Sequence, residues 1–169
     1  MGGYTMGKLP QRKNTRLKNY DYSKPGYYFI TICTKDRMGI FGDIVFEPAA
    51  SNLSGKMDLS DIGCIICECW LEINELYENV TTDAFCIMPN HIHGIIVISE
   101  TDSDSPPSLA KIIQGFKSVT SRICYKYNYK TIWQANYYEH IIRNQEEYEK
   151  ICEYIQTNPL KWEEDMYYI

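Results

Sequence analysis

The stretch Met88-Pro89-Asn90-His91-Ile92-His93-Gly94 runs directly into the apolar run Ile95-Ile96-Val97-Ile98. Two of the three histidines of the chain lie in it, one residue apart. Because residues i and i+2 of a β-strand point to the same face, this spacing predicts two imidazoles side by side at the start of a central strand. Such a pair can hold a metal ion if another part of the chain supplies a further ligand. A polar strand face turned to solvent is the alternative interpretation.

The chain has 169 residues, about the length of one domain, and 44% of them are hydrophobic, enough for a substantial core. No run approaches the roughly 18 apolar residues of a membrane span, and the first residues lack the apolar centre of a secretory signal. We therefore expect a cytoplasmic protein without membrane contact. The seven cysteines are interpreted as reduced, because their number is odd and their spacing is not that of a disulfide framework. A zinc site at Cys64, Cys67 and Cys69 is the alternative, although no fourth ligand lies nearby.

Charge is distributed unevenly along the chain. The net charge of −5 argues against general nucleic-acid binding, yet residues 1–24 and 111–143 each carry a net charge of +5. The other segments, residues 25–110 and 144–169, carry −10 and −5. Residues 1–24 are interpreted as a basic N-terminal arm that includes Arg12, Lys13 and Arg16, and residues 25–169 as a single domain. The two basic segments are the candidate nucleic-acid contacts, with an ordinary charged surface as the alternative.

The hydrophobic pattern predicts alternating strands and helices. Apolar and β-branched runs predict strands, and apolar residues recurring near the 3.6 period predict helices. The predicted strands cover residues 27–34, 83–88, 91–99 and 137–143, with a β-hairpin between residues 39 and 59; the predicted helices cover residues 60–78, 108–127 and 145–157.

The helix that begins after Ser108 has a polar face rich in lysine and hydroxyl side chains. Such side chains hold a phosphate backbone, and an ordinary helix surface is the alternative. The candidate DNA contacts on this face are Lys111, Lys117, Ser118, Arg122 and Lys126.

The last helix carries Tyr154 and Asn158 one turn apart, at the edge of its apolar stripe. Together with the histidine pair, these two residues offer a complete chemistry. Asn158 can lend its carbonyl oxygen as a third metal ligand, and Tyr154 can act as a nucleophile near the same metal. A phenol with a pKa near 10 is a poor nucleophile at neutral pH unless a base or a positive charge favours its ionised form.

Five motifs occur in order along the chain, at residues 89–93 (Pro-Asn-His-Ile-His), 116–122 (Phe-Lys-Ser-Val-Thr-Ser-Arg), 133–134 (Trp-Gln), 138–143 (Tyr-Glu-His-Ile-Ile-Arg) and 153–159 (Glu-Tyr-Ile-Gln-Thr-Asn-Pro). In this combination the chain resembles the single-tyrosine HUH transposases, and most closely the REP-associated tyrosine transposases. The resemblance runs from about Tyr27 to Trp162, and it implies that residues 25–169 form a single HUH transposase-like catalytic domain.

The resemblance implies an α+β fold, a ferredoxin-like sandwich whose antiparallel sheet has helices packed mainly on one face. It also implies cleavage and rejoining of single-stranded or hairpin DNA through a 5′-phosphotyrosine intermediate. Carried over by residue, Tyr154 is the nucleophile, and His91, His93 and Asn158 are ligands of Mg²⁺ or Mn²⁺. His140 lies in a matching motif without an assigned role, and the protein is expected to be a monomer or a homodimer.

A second hypothesis is a domesticated module that binds DNA hairpins and has lost strand transfer. A purely binding role does not require Tyr154 together with the three candidate metal ligands, which argues for the enzyme. A purely structural metal site is disfavoured, because two histidines and one amide leave coordination positions open.

Overall fold

The computed structural model describes residues 20–48 and 53–168. Most of the predicted N-terminal arm, including Arg12, Lys13 and Arg16, lies outside these residues. The strands are β1 (Gly26–Cys33), β2 (Gly42–Pro48), β3 (Leu53–Leu59), β4 (Val80–Met88), β5 (His91–Ile98) and β6 (Tyr138–Ile142). The helices are α1 (Asp61–Leu71), α2 (Ile73–Leu76), α3 (Leu109–Tyr125) and α4 (Gln145–Thr157), followed by a 3₁₀ segment (Asn158–Glu164). Within the described ranges, no helix is both long and apolar enough to span a membrane.

Four strands form one antiparallel sheet in the order β4-β5-β1-β6. Its two halves, β1-α1-β4 and β5-α3-β6, interleave so that each pair of parallel strands encloses a strand of the other half. This is the split βαβ arrangement of ferredoxin-like folds, and it confirms the predicted fold class. The strand that begins with the histidine pair, β5, is central as predicted, because it lies between β4 and β1.

The two faces of β5 have different neighbours. Ile92 and Ile96 belong to the larger apolar cluster, which includes the buried residues of α1 and α3. Ile95 belongs to a smaller cluster on the opposite face, together with Ile155 of α4. Helices α1 and α3 therefore cover one face, and α4, which carries Tyr154, covers the face to which the histidines point.

Two helices begin where the sequence predicts, each at a residue whose side chain caps the helix. The Ser60 and Asn144 side chains accept hydrogen bonds from the first turns of α1 and α4. Helix α1 ends at Leu71 rather than near Glu78, because the Asn74 side chain donates to the Leu71 carbonyl and accepts from the Thr82 amide. Those bonds fasten the end of the helix to β4, which begins at Val80, earlier than predicted.

The predicted hairpin between β1 and α1 is confirmed as β2 and β3, which pair from Gly42 with Leu59 outward. It packs against the chain that follows α4. At Gly55 a Cβ atom would lie only 2.8 Å from the Pro159 carbonyl oxygen. The hairpin thus supports the 3₁₀ segment that leads the chain back towards β5.

Gly94 lies at the centre of β5, under the indole of Trp70. A Cβ atom at this position would lie 2.6 Å from Cζ2 of Trp70, whose side chain is fully buried. We expect Gly94→Ala to lower the free energy of unfolding by about 1–3 kcal/mol, because the indole must move inside a packed core. Urea unfolding measures this change.

The matched control is Gly26→Ala, at the start of β1, where a Cβ atom would lie 3.6 Å from the Tyr28 ring in ordinary contact. Its free energy of unfolding should change by no more than about 0.5 kcal/mol. Equal stability of the two variants would contradict the packing argument.

Candidate active site

The two histidines of β5 form a buried pair. His91 and His93 are 0% and 1% exposed, and their Nε2 atoms lie 2.9 Å apart. The spacing i, i+2 therefore places both imidazoles on one face of the strand, as predicted. Their burial excludes the alternative of a polar strand face turned to solvent.

Each imidazole is oriented by a hydrogen bond at its other nitrogen. His91 Nδ1 donates to Asn90 Oδ1 at 2.8 Å, and the Asn90 amide is itself oriented by donating to the Tyr167 carbonyl at 2.8 Å. His93 Nδ1 lies 2.8 Å from the hydroxyl of Thr31, its partner across the β1–β5 ladder. Partners of this kind fix the ring orientation of a metal-binding histidine, and the Asn90 oxygen, which can only accept, also fixes the tautomer of His91.

These bonds define which nitrogens can bind a ligand. Because His91 carries its proton on Nδ1, its Nε2 lone pair points at His93 Nε2. His93 can place its proton on Nε2, towards His91, while the Thr31 hydroxyl donates to Nδ1. It can also place its proton on Nδ1, while Thr31 accepts and both Nε2 lone pairs are available. A hydroxyl serves both states because it donates and accepts.

Tyr154 lies against this pair. Its hydroxyl is 3.1 Å from His93 Nε2, and its ring packs edge-on against His93 and Phe29. Tyr154 is 41% exposed, although its hydroxyl contacts the buried His93. Burial, followed by the negative charge of Asp165, raises the pKa of Tyr154 to about 12.

Asn158 and Asp165 complete the cluster. The Asn158 side chain is buried; its Nδ2 donates to Asp165 Oδ2 at 3.0 Å, and its Oδ1 has no hydrogen-bond partner among the described residues. Asp165 Oδ2 lies 3.9 Å from His93 Nε2, and Oδ1 accepts from the Tyr167 amide. Sequence reasoning identified Asn158 but not Asp165.

Burial controls the protonation of the histidines. It lowers the pKa of both His91 and His93, and for His91 the neighbouring imidazole adds to the effect. Burial alone would raise the pKa of Asp165, but the neighbouring His93 and hydrogen bonds from the Tyr167 amide and Asn158 lower it overall. At neutral pH the site therefore holds two neutral imidazoles and one carboxylate, the protonation states required of metal ligands.

These residues fit a divalent cation. Among the described residues, the one group of three or more potential His, Cys, Asp or Glu ligands is His91, His93 and Asp165, with ligand atoms within 4.8 Å of one another. Asn158 Oδ1 adds a buried oxygen that lacks a partner elsewhere in the described chain. The set offers two nitrogens and two oxygens, which suits a metal that accepts both imidazole and oxygen ligands.

The candidate DNA contacts of α3 fall into two groups. Lys111, Ser118, Arg122 and Lys126 are exposed. The ammonium group of Lys117 instead donates to the carbonyls of Gln134, Ala135 and Asn136, and burial lowers its pKa to about 8. Lys117 thus fastens the chain after α3 to the helix, and its role as a DNA contact stays a prediction.

His140 lies outside the cluster. Its Nε2 is 2.6 Å from Glu147 Oε1, and the other oxygen of Glu147 accepts from the Arg143 amide. The contact links β6 to the first turn of α4, and it gives His140 a structural place in the fold.

The chain is similar to known transposases in sequence and in fold. The family model described as "Transposase IS200 like" matches residues 23–158. An uncharacterised protein of Haemophilus influenzae is 38% identical over 179 aligned positions, which cover 95% of each chain. A second H. influenzae protein, named as a candidate REP-associated tyrosine transposase, is 28% identical over 86% of this chain and 77% of its own.

One solved structure, of a REP-associated tyrosine transposase bound to a REP hairpin, superposes with a TM-score of 0.63 at 21% identity. It covers 87% of this chain and 73% of the solved one. At 21% identity, the superposition shows that the two proteins share a fold.

Proposed function

Since this chain belongs to the family of IS200-like transposases and is a tyrosine DNA transposase, we propose that it cleaves and rejoins single-stranded DNA through a 5′-phosphotyrosine on Tyr154. The observation that carries this proposal is the position of the Tyr154 hydroxyl, 3.1 Å from Nε2 of the buried His93, on a residue that is 41% exposed. We further propose hairpin or palindromic DNA as the substrate, because the solved protein of similar fold is bound to a hairpin.

The proposed reaction exchanges one phosphodiester for another. The Tyr154 oxygen forms a bond to the scissile phosphorus, the bond from phosphorus to the 3′ oxygen breaks, and the released strand gains a 3′-hydroxyl. In rejoining, a 3′-hydroxyl attacks the phosphotyrosine and returns the phenol. The number of phosphoester bonds is conserved, so neither an oxidant nor a nucleotide cofactor is required.

The proposed metal ligands are His91 and His93 through Nε2 and Asn158 through Oδ1, with Asp165 as a further oxygen donor. Mg²⁺ or Mn²⁺ is proposed, because oxygen donors and phosphate oxygens make up most of such a coordination shell. A divalent cation supplies positive charge that polarises a phosphate and favours an ionised phenol. The chain itself holds both imidazoles neutral, keeps an oxygen unpaired in the buried cluster and presents the phenol to solvent.

The proposed DNA contacts are the exposed Lys111, Ser118, Arg122 and Lys126 on α3, together with Arg12, Lys13 and Arg16 of the N-terminal arm. Phosphate contacts of this kind hold the strand in register without reading its sequence.

Substitution of Thr31 tests the proposed metal site without removing a metal ligand, because the Thr31 hydroxyl contacts the Nδ1 atom of His93. We expect Thr31→Val to weaken Mn²⁺ binding by about 10–100-fold, because valine keeps the shape of the side chain but cannot accept the His93 Nδ1 proton. Isothermal titration calorimetry measures the affinity. Thr31→Ser retains the hydroxyl and should bind Mn²⁺ nearly as the parent protein does. Equal affinity in the valine variant would show that the His93 tautomer does not depend on Thr31.

The experiment that tests the proposed function is incubation with a labelled library of single-stranded hairpins, with Mn²⁺ or with a chelator. A denaturing gel separates covalent adducts from free DNA. We expect an adduct that requires the metal. Tight binding without any adduct would favour the hairpin-binding module over the transposase.

A further inference from the structure

The C-terminal end of α3 and the turn after it carry exposed tyrosines between basic residues, in the order Arg122, Tyr125, Lys126, Tyr127 and Lys130. Tyr125 and Tyr127 are 65% and 51% exposed. Within residues 20–48 and 53–168, neither ring packs against another aromatic ring and neither hydroxyl forms a hydrogen bond. Large aromatic side chains so exposed are available to a ligand.

The sequence on both sides of these tyrosines carries charge of one sign. From residue 105 to residue 138 the sequence contains five Lys or Arg residues and no Asp or Glu, although the whole chain has a net charge of −5. In the described part of the chain, Arg122, Lys126 and Lys130 form no ion pair. This end of α3 therefore favours an anionic partner.

The turn that presents the tyrosines is held by backbone hydrogen bonds. The amides of both Tyr127 and Tyr129 donate to the Cys124 carbonyl, and Asn128 adopts a positive φ of 68° that closes the turn. The Tyr129 ring packs against the main core. Because the backbone is already ordered, binding through Tyr125 and Tyr127 would cost little conformational entropy.

The turn lies at the same end of the sheet as the proposed active site, on the opposite face, which α3 covers. Helix α3 runs antiparallel to β5, so its C-terminal end is at the end of the sheet where β5 begins with His91. The chain that leaves the turn confirms this placement, because Trp133 forms a bridge with Thr34, next to Cys33, which pairs with His91. Lys117 fastens that segment to α3.

We propose that Tyr125 and Tyr127 form a stacking platform for unpaired bases of the DNA substrate, with Arg122, Lys126 and Lys130 neutralising the phosphates. This inference rests on the proposed function, because it takes single-stranded DNA as the ligand. Stacking on aromatic rings beside phosphate-binding cations is a general mode of sequence-tolerant single-strand binding. The platform would hold single-stranded DNA that passes around this end of the sheet, from the face covered by α3 to Tyr154 on the face covered by α4.

The test is fluorescence anisotropy with a labelled oligo(dT) strand of about 20 nucleotides and a blunt duplex of equal length, without metal. We expect Tyr125→Ala and Tyr127→Ala each to weaken oligo(dT) binding about tenfold or more and to affect the duplex far less. Tyr125→Phe and Tyr127→Phe keep the rings and should stay within about threefold of the parent protein. Tyr27→Ala removes another exposed tyrosine, at the far end of β1, and controls for unspecific effects.

Unchanged oligo(dT) binding in both alanine variants would overturn the platform. So would a loss confined to Lys126→Gln and Lys130→Gln, since binding would then be electrostatic alone, or a loss of binding to anionic lipid vesicles with DNA binding intact. These assays need no cleavage. An intact Tyr154 adduct with a failed platform therefore leaves the proposed function standing, and a failed adduct with an intact platform removes only the catalytic proposal.

Discussion

Replacing Tyr154 with phenylalanine is expected to lower formation of the covalent protein–DNA adduct by about three orders of magnitude or more, because the variant lacks the attacking oxygen. The fold should survive the change. The Tyr154 hydroxyl lies 3.1 Å from His93 Nε2 and interacts with the Asn158 and Asp165 side chains, and the ring contacts with Phe29 and His93 do not involve the oxygen. The free energy of unfolding should therefore change by no more than about 1 kcal/mol.

Tyr148→Phe is the matched control, since Tyr148 lies on the same helix, six residues earlier. Its hydroxyl donates to Asp83 Oδ2 at 2.6 Å, on the edge strand β4. Loss of this bond should cost about 1 kcal/mol of stability and leave adduct formation in place. Denaturing gels measure the adduct, and mass spectrometry of the attached peptide identifies the residue. An adduct that persists in Tyr154→Phe and disappears in Tyr148→Phe would move the nucleophile to Tyr148.

Local patterns in the sequence predicted most of the fold. The two-residue period of β5 and the caps at Ser60, Ser108 and Asn144 involve residues close together in the chain, so sequence spacing alone defines them. The sequence did not predict on which side of the sheet each helix packs. Both α3 and α4 have an apolar stripe that can be buried against a sheet, and no local feature indicates that the two helices cover opposite faces.

The same limit explains which parts of the site were predicted. The pair His91 and His93 follows from i, i+2 spacing, and Tyr154 and Asn158 follow from one turn of helix. Thr31 lies 62 residues from His93, and only the register of β1 against β5 brings them together. Asp165 reaches the site through the 3₁₀ segment after α4, which has no periodic pattern to indicate its direction. Contacts made by long-range register or by an irregular chain reversal have no local signal.

Substitutions of the three histidines should affect metal binding differently, because His91 and His93 lie in the buried cluster and His140 lies outside it. We expect His91→Gln to weaken Mn²⁺ binding by about 100-fold or more, since the glutamine keeps a polar side chain of similar size but removes the Nε2 ligand. His140→Gln should bind Mn²⁺ as the parent protein does, because His140 contacts Glu147 rather than the cluster. The measurement is the rise in melting temperature that Mn²⁺ causes in each variant. Each variant is its own metal-free reference, so a change in folding stability does not imitate a change in affinity.

The expected rise in melting temperature follows from the affinity of the folded state for the metal. At a metal concentration 100 times the dissociation constant, a single site stabilises the folded state by about 2.7 kcal/mol, and a 100-fold weaker site by only about 0.4 kcal/mol. For a chain of this length, those values correspond to increases of about 5–11 °C and about 1–2 °C. The parent protein and His140→Gln should show the larger increase, and His91→Gln the smaller one. The opposite result would place the metal at the junction of β6 and α4, and Tyr154 would then act without a cation beside it.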